Sequence, residues 1–190
     1  MALFEPFPNY VWNLSVSIAM ENGGKIGEIV DIIKPLMAKA EAGEDAGTHD
    51  FMVEWVKMAD KLTGLAEDDI AAGRMYSAGN KLKRSAIYYQ TGERMQAHGS
   101  AGRMETYTKG IQNFMRGAEL AVRERGGMVA GKKIELIKAS SDAKPDVAVN
   151  ATRKLVEQDE VLVMVGPLSG GEGIAVKDYA KTQPNVTFIN

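Results

Sequence analysis

The 190-residue chain contains no cysteine. That excludes a disulfide scaffold, a thiolate metal centre and a cysteine nucleophile. Only two histidines occur, His49 and His98, and they lie far apart in sequence. A metal site built on imidazole is therefore not expected, and carboxylates are the only side chains left to hold a hard cation. No cofactor motif is present, and none is expected to bind. An excess of charge of one sign is also missing. The net charge is −2, too small for a global field that draws nucleic acid or anionic lipid. No apolar run approaches the ~20 residues that cross a bilayer. The first residues, Met-Ala-Leu-Phe-Glu-Pro, lack a basic n-region followed by an apolar h-region. As written, the chain carries no export address, and a cytoplasmic location is the expectation.

Aromatic residues are scarce in one part only. Eleven of the 13 aromatics and nine of the 11 methionines fall in the first 117 positions. The remainder has only Tyr179 and Phe188 and is rich in Val, Ile, Lys and Gly. This break marks a candidate domain boundary, with residues 1–117 on one side and 118–190 on the other.

The first part has helical period. Phe51, Trp55, Met58, Ala59 and Leu62 form one apolar face. Thr48 is the expected N-cap and Gly64 the expected stop. Ile26, Ile29, Val30 and Ile33 form a second stripe, which Pro35 is expected to kink or break. Gly23 and Gly24 separate it from an apolar stretch over 12–20. A longer helical stretch covers 67–95, a turn 98–102 and a further helix 103–125, closed by Gly126 and Gly127.

The period then changes. Residues 133–139 alternate and predict a strand. Pro145 fits the first position of a helix running to about Gln158, with Val147, Ala151, Leu155 and Val156 inward. Residues 161–165 are continuously apolar, the pattern of a strand buried on both faces. A Gly-rich loop over 166–171, a helix to about Lys181 and a strand over 186–189 complete a βαβ order with a parallel sheet.

The loop over 166–171 is the most informative local feature. A loop between a parallel strand and a helix N-terminus presents free N–H groups and a positive dipole end, which suit a carboxylate or phosphate. A plain tight turn uses glycine equally well. Sharper motifs fail here. The Walker A spacing of Gly166 and Gly171 is followed by Glu172 instead of lysine. The dinucleotide spacing of Gly171 and Gly173 meets Val176 at the third glycine. The elbow around Ser169 has Pro167 in place of its first glycine, so Ser169 is not a serine nucleophile. Arg74, Arg84, Tyr88 and Tyr89 read either as a ligand pocket or, more simply, as helix core and its edge. The two histidines read as surface residues.

Two families are resembled. Trp55, Met58-Ala59, Gly73-Arg74, Ser77-Ala-Gly79, Arg84-Ser-Ala86, Tyr88-Tyr89, Tyr107 and Phe114 resemble the helical cap of one α/β-hydrolase branch. That branch includes the dihydroxypseudooxynicotine hydrolases and the fungal polyketide-shortening hydrolases. The resemblance covers residues 4–117 and implies helices that wall a substrate pocket. The catalytic core would begin near residue 125, and no nucleophile elbow stands there, so no enzyme is expected.

Residues 112–190 resemble the amino-terminal lobe of the branched-chain amino acid substrate-binding proteins of ABC importers. The residues that carry this are Gly117-Ala-Glu-Leu-Ala-Val122, the Val-Ala-Gly-Lys-Lys-Ile-Glu-Leu-Ile run at 129–137, and Asp142. They continue as Lys144-Pro-Asp-Val-Ala-Val149, Arg153-Lys-Leu-Val-Glu-Gln158, Val165-Gly-Pro-Leu-Ser169 and Ala175-Val-Lys-Asp-Tyr-Ala180. The resemblance implies that Ser169, Gly170 and Gly171 bind a ligand carboxylate. It also implies a periplasmic setting, a first strand whose place the helical segment occupies here, and a second lobe that would follow Asn190. The two resemblances overlap over 114–120, as if two pieces met in one helix.

The expected fold class is α plus α/β. An all-helical region of about five helices is joined by a long helix to a partial three-layer α/β half-lobe with a parallel sheet. The expected function is solute recognition by an incomplete, truncated or chimeric binding protein that takes an amino acid or similar carboxylate weakly. The alternatives are a hydrolase cap without its core, and a helical interaction module that forms homo-oligomers through apolar cap faces.

Overall fold

The computed structural model describes residues 5–43, 48–141, 144–167 and 170–189. The chain divides into two compact units, Met1–Ile134 and Glu135–Asn190. The composition break at residue 117 falls inside a helix of the first unit.

The first unit is helical: α1 (Tyr10–Glu21), α2 (Ile26–Glu41), α3 (Thr48–Ala71), α4 (Met75–Glu93) and α5 (Arg103–Glu124). The starts and stops have local causes. The Asn9 side chain accepts from the Val11 and Trp12 N–H groups and opens α1. Three helices end alike. The Arg74 N–H donates to the Asp69 carbonyl and the Gly73 N–H to the Ile70 carbonyl. This Schellman closure needs the left-handed φ of +74° at Gly73. Gly24 with Gly23 closes α1, and Gly127 with Gly126 closes α5, in the same way. After α5, β1 (Met128–Val129) and β2 (Lys132–Lys133) form a short antiparallel hairpin.

Several sequence expectations are corrected here. Gly64 does not stop α3, which runs on to Ala71. The break comes at Gly73, where the capping bonds form, so the stretch over 67–95 is the end of one helix and the whole of another. Pro35 lies inside α2 and does not end it. One missing N–H is outweighed by burial of Ile29, Ile32, Ile33 and Leu36 along the packed side. Ile26 and Val30, expected inward, are exposed.

The core is aromatic. Phe7, Trp12, Phe51, Trp55 and Tyr88 run as a chain of ring contacts with centroids 5.0–5.7 Å apart. Such pairs add to their area burial by roughly 1 kcal/mol each. Val16, Ile29, Leu36, Ala59 and Leu62 fill the space around them. Helices α3, α4 and α5 approach closely where side chains are absent. A Cβ on Gly92 would sit 3.1 Å from the Trp55 Cβ. One on Gly110 would sit 3.2 Å from the Tyr89 Cβ, and one on Gly117 3.4 Å from the Gly79 carbonyl oxygen. Between the same helices lies a buried polar knot. The Asn113 amide donates to the Thr63 and Ser85 hydroxyls, and Ser85 donates to the Ala59 carbonyl.

The second unit contains α6 (Pro145–Glu157), β3 (Val163–Val165), α7 (Gly170–Ala180) and β4 (Thr187–Ile189). Pro145 opens α6 as expected, and α6 and α7 pack on each other. The residues of α6 that are fully buried are Ala148 and Thr152. Val147, Ala151, Leu155 and Val156 are only half-buried. Strands β3 and β4 pair in parallel, Met164 opposite Phe188. The fold is thus α plus a partial α/β unit.

Two strand expectations fail for one reason. Residues 134–141 form no strand, and Leu136 and Ile137 are exposed. Strand β3 is not buried on both faces: Met164 is buried, while Leu162, Val163 and Val165 are exposed. Lys133 ends β2, residues 135–139 continue no ladder, and among the described residues β3 has a partner, β4, on one edge only. A strand exists only by its pairing.

Candidate functional site

The candidate site lies where the chain leaves β3. The Gly166 N–H donates to the Ile189 carbonyl at 2.8 Å, the last bond of the two-stranded sheet. Beyond it, Leu168 and Ser169 lie outside the described residues, so Ser169 has no geometry to report. Gly170 and Gly171 open α7, and both are exposed. No heavy atom lies within 4 Å of a Cβ built on Gly170. As the first residues of an α-helix they have N–H groups with no intrahelical acceptor, beside the positive end of the dipole. That is an arrangement able to receive a carboxylate.

Sequence reasoning missed the surroundings. An open cavity of about 570 Å³ runs along α7, lined chiefly by Pro167, Gly170, Ile174, Lys177, Lys181 and Phe188. The spacing of Gly170, Ile174, Lys177 and Lys181 is one helical face, a signal legible in the sequence once α7 is granted. Lys181 pairs with Asp178 at 2.9 Å. In the first turn of α7, Glu172 is buried and its Oε1 has no hydrogen-bond partner. On α6, the Thr152 hydroxyl is likewise buried and unpartnered. The helical unit has one such group as well, the buried Trp55 Nε1.

The residues weighed as a possible pocket in the helical unit are structural. Tyr88 and Tyr89 are buried in the core. The Tyr88 hydroxyl donates to Glu28 at 2.6 Å and accepts from the Lys25 N–H at 2.9 Å. Arg84 pairs with the same Glu28 at 3.0 Å, so α2 is tied to α4. Burial, reinforced by the Glu28 carboxylate, pushes the Tyr88 hydroxyl far above its ordinary range. Arg74 pairs with Asp69 at 2.8 Å. His49 and His98 are exposed. Among the described residues, no cluster of three or more His, Asp or Glu side chains is arranged to hold a metal ion. No described helix is long and apolar enough to cross a membrane.

No curated protein and no solved structure matches the chain. Nothing in these comparisons supports the hydrolase-cap resemblance of residues 4–117. The periplasmic binding protein family matches residues 107–190, beginning inside α5, and over that stretch the chain resembles a solute-binding protein.

Proposed function

We propose that the second unit is a solute-recognition element of the amino-acid-binding type, with an incomplete site. The ligand carboxylate sits on the N–H groups of Gly170 and Gly171 and the hydroxyl of Ser169, and no chemical step follows binding. One observation carries this reading: the match to periplasmic binding proteins runs through a loop whose following helix presents two exposed glycines at its N-terminus. The incompleteness rests on the exposed residues of β3 and on the lack of strand structure over residues 135–139. A carboxylate held by a few N–H groups binds at about millimolar dissociation constant, worth about 4 kcal/mol. The apolar cavity beside Ile174 and Phe188 suits a branched or aromatic side chain.

The test is a titration of the isotopically labelled chain with leucine, valine and phenylalanine, read as amide chemical-shift changes. Saturable shifts at Gly170 and Gly171 are expected in the millimolar range. Gly170→Pro removes one N–H at a helix position that tolerates proline, where an added Cβ meets no atom within 4 Å. It should abolish those shifts and leave the helical signal intact. Shifts that are absent, or unchanged in Gly170→Pro, would refute the reading.

A further inference from the structure

Helix α5 has three sides with three different fates. Thr106, Gly110, Asn113, Gly117 and Leu120 are buried. A second side is charged and committed to neighbours: Lys109 to Asp60 and Glu105, and Arg116 to Glu67. The third side is apolar and bare. Met104 is 66% exposed, Tyr107 45%, Ile111 43% and Phe114 58%. The line continues with Ala118 and the exposed Ala121. These six positions are spaced 3-4-3-4-3, the a/d spacing of a two-helix seam. An isolated exposed Leu or Phe is ordinary, but a stripe of nearly five turns at seam spacing on a helix already packed on another side is not.

The stripe also tapers. Its amino-terminal half is bulky and its carboxyl-terminal half is alanine. Two parallel copies would set Tyr107 on Tyr107 and Phe114 on Phe114, then leave alanine facing alanine. Two antiparallel copies set Met104 against Ala121, Tyr107 against Ala118 and Ile111 against Phe114. Bulky then meets small at both ends, and the seam keeps one width. Antiparallel pairing also places opposite dipole ends together. The two-fold closure uses the same patch on both copies.

The area is sufficient. With large side chains near 200 Å² each, the four exposed residues offer about 400 Å² per copy. With the flanking Thr108, Met115 and Val122 the pair covers on the order of 1,200 Å² in total, the lower edge of specific interfaces. We infer that α5 is a self-association surface on which a second copy of this chain docks antiparallel through Met104, Tyr107, Ile111, Phe114, Ala118 and Ala121. This inference is independent of ligand binding by the second unit.

Sedimentation of the full chain from about 1 to 500 μM tests it. A reversible monomer–dimer equilibrium with a midpoint of about ten micromolar is expected. The double variant Ile111→Glu with Phe114→Glu should weaken association at least hundredfold with an unchanged helical signal, because both positions are exposed. Orientation is read by cross-linking, which the cysteine-free background makes clean. Met104→Cys with Ala121→Cys should form an interchain disulfide on oxidation. Met104→Cys alone should not, since its two copies would sit about 25 Å apart. A monomer at all concentrations would overturn the inference and leave the stripe to a different protein. Dimers that survive the double glutamate variant, or cross-linking of Met104→Cys alone, would overturn it as well.

Discussion

The two units of this chain are held together by different means. In the helical unit the largest buried side chains are Trp55, Tyr88, Tyr89 and Phe51. Helices need only local hydrogen bonds, so their sequence can be spent on one packed face each. In the second unit the buried residues are few and none is aromatic: Ala148, Thr152, Met164, Glu172 and Val176. Its strands depend on partners distant in sequence, and among the described residues β3 and β4 pair with each other alone. Thus the aromatic-rich part packs a complete core, while the part rich in β-branched residues packs only a fraction of one. Helix α5 sharpens the contrast. Its Gly117 and Leu120 belong to the stretch that resembles a binding-protein lobe, yet they are buried beside Gly79 and Leu82 of α4.

Substitutions that strike one unit at a time can break this comparison. The largest effect is expected from Trp55→Ala, which opens a cavity at the centre of the aromatic chain. It should cost about 3–5 kcal/mol in thermal or denaturant unfolding of the helical unit. A smaller loss would mean that the aromatic chain is not the main support. Next comes Gly92→Ala. Alanine is the better helix former by ~1 kcal/mol, but its Cβ would lie 3.3 Å from Met52 backbone atoms as well as against Trp55. A net loss of about 1–3 kcal/mol is expected, and a gain in stability would disprove the close contact.

Acid should separate the units more gently. Hydrogen bonds from Lys81, Ser77 and Arg74 hold the Asp69 carboxyl well below the usual carboxylate range. A depressed folded-state value contributes stability above the unfolded pKa near 4, and that contribution is lost as pH falls below it. Asp69→Asn should therefore flatten the acid limb of the helical unit's stability profile. An acid limb unchanged by Asp69→Asn would exclude this ion cluster as its source. Tyr89 behaves oppositely. Burial, helped by a hydrogen bond to Asp60, pushes its hydroxyl up to about 12. Its contribution is present below pH 10 and is lost as pH rises toward that value. The smallest effect is expected at Val165→Thr in the second unit. Val165 is exposed, so the change should stay within about 0.5 kcal/mol. A loss several times larger would restore the doubly buried strand that the apolar run over 161–165 suggests.

The legible features were those with local causes. Gly126 with Gly127, Pro145 and the stripe from Phe51 to Leu62 each act within a few residues, and each marks a real element or boundary. Gly64 and Pro35 misled because a helix tolerates one poor residue when its packed side is well buried. Met128–Val129 and residues 134–141 were not legible, because strand identity is a property of the pair and not of the segment. The glycine approaches between α3, α4 and α5 are invisible in a single sequence, since glycine records a neighbour without naming it. The candidate loop was found from its glycines. Its cavity was not, because Lys177 and Phe188 come together only when α7 and β4 are placed.

Hydrogen exchange along the full chain, read by mass spectrometry, tests the central contrast most directly. The account predicts slow exchange in α3, α4 and α5 through Leu120, and exchange near the free-peptide rate over residues 135–139. Protection of 135–139 comparable to that of α4 would contradict it, because those residues would then be paired in a completed sheet.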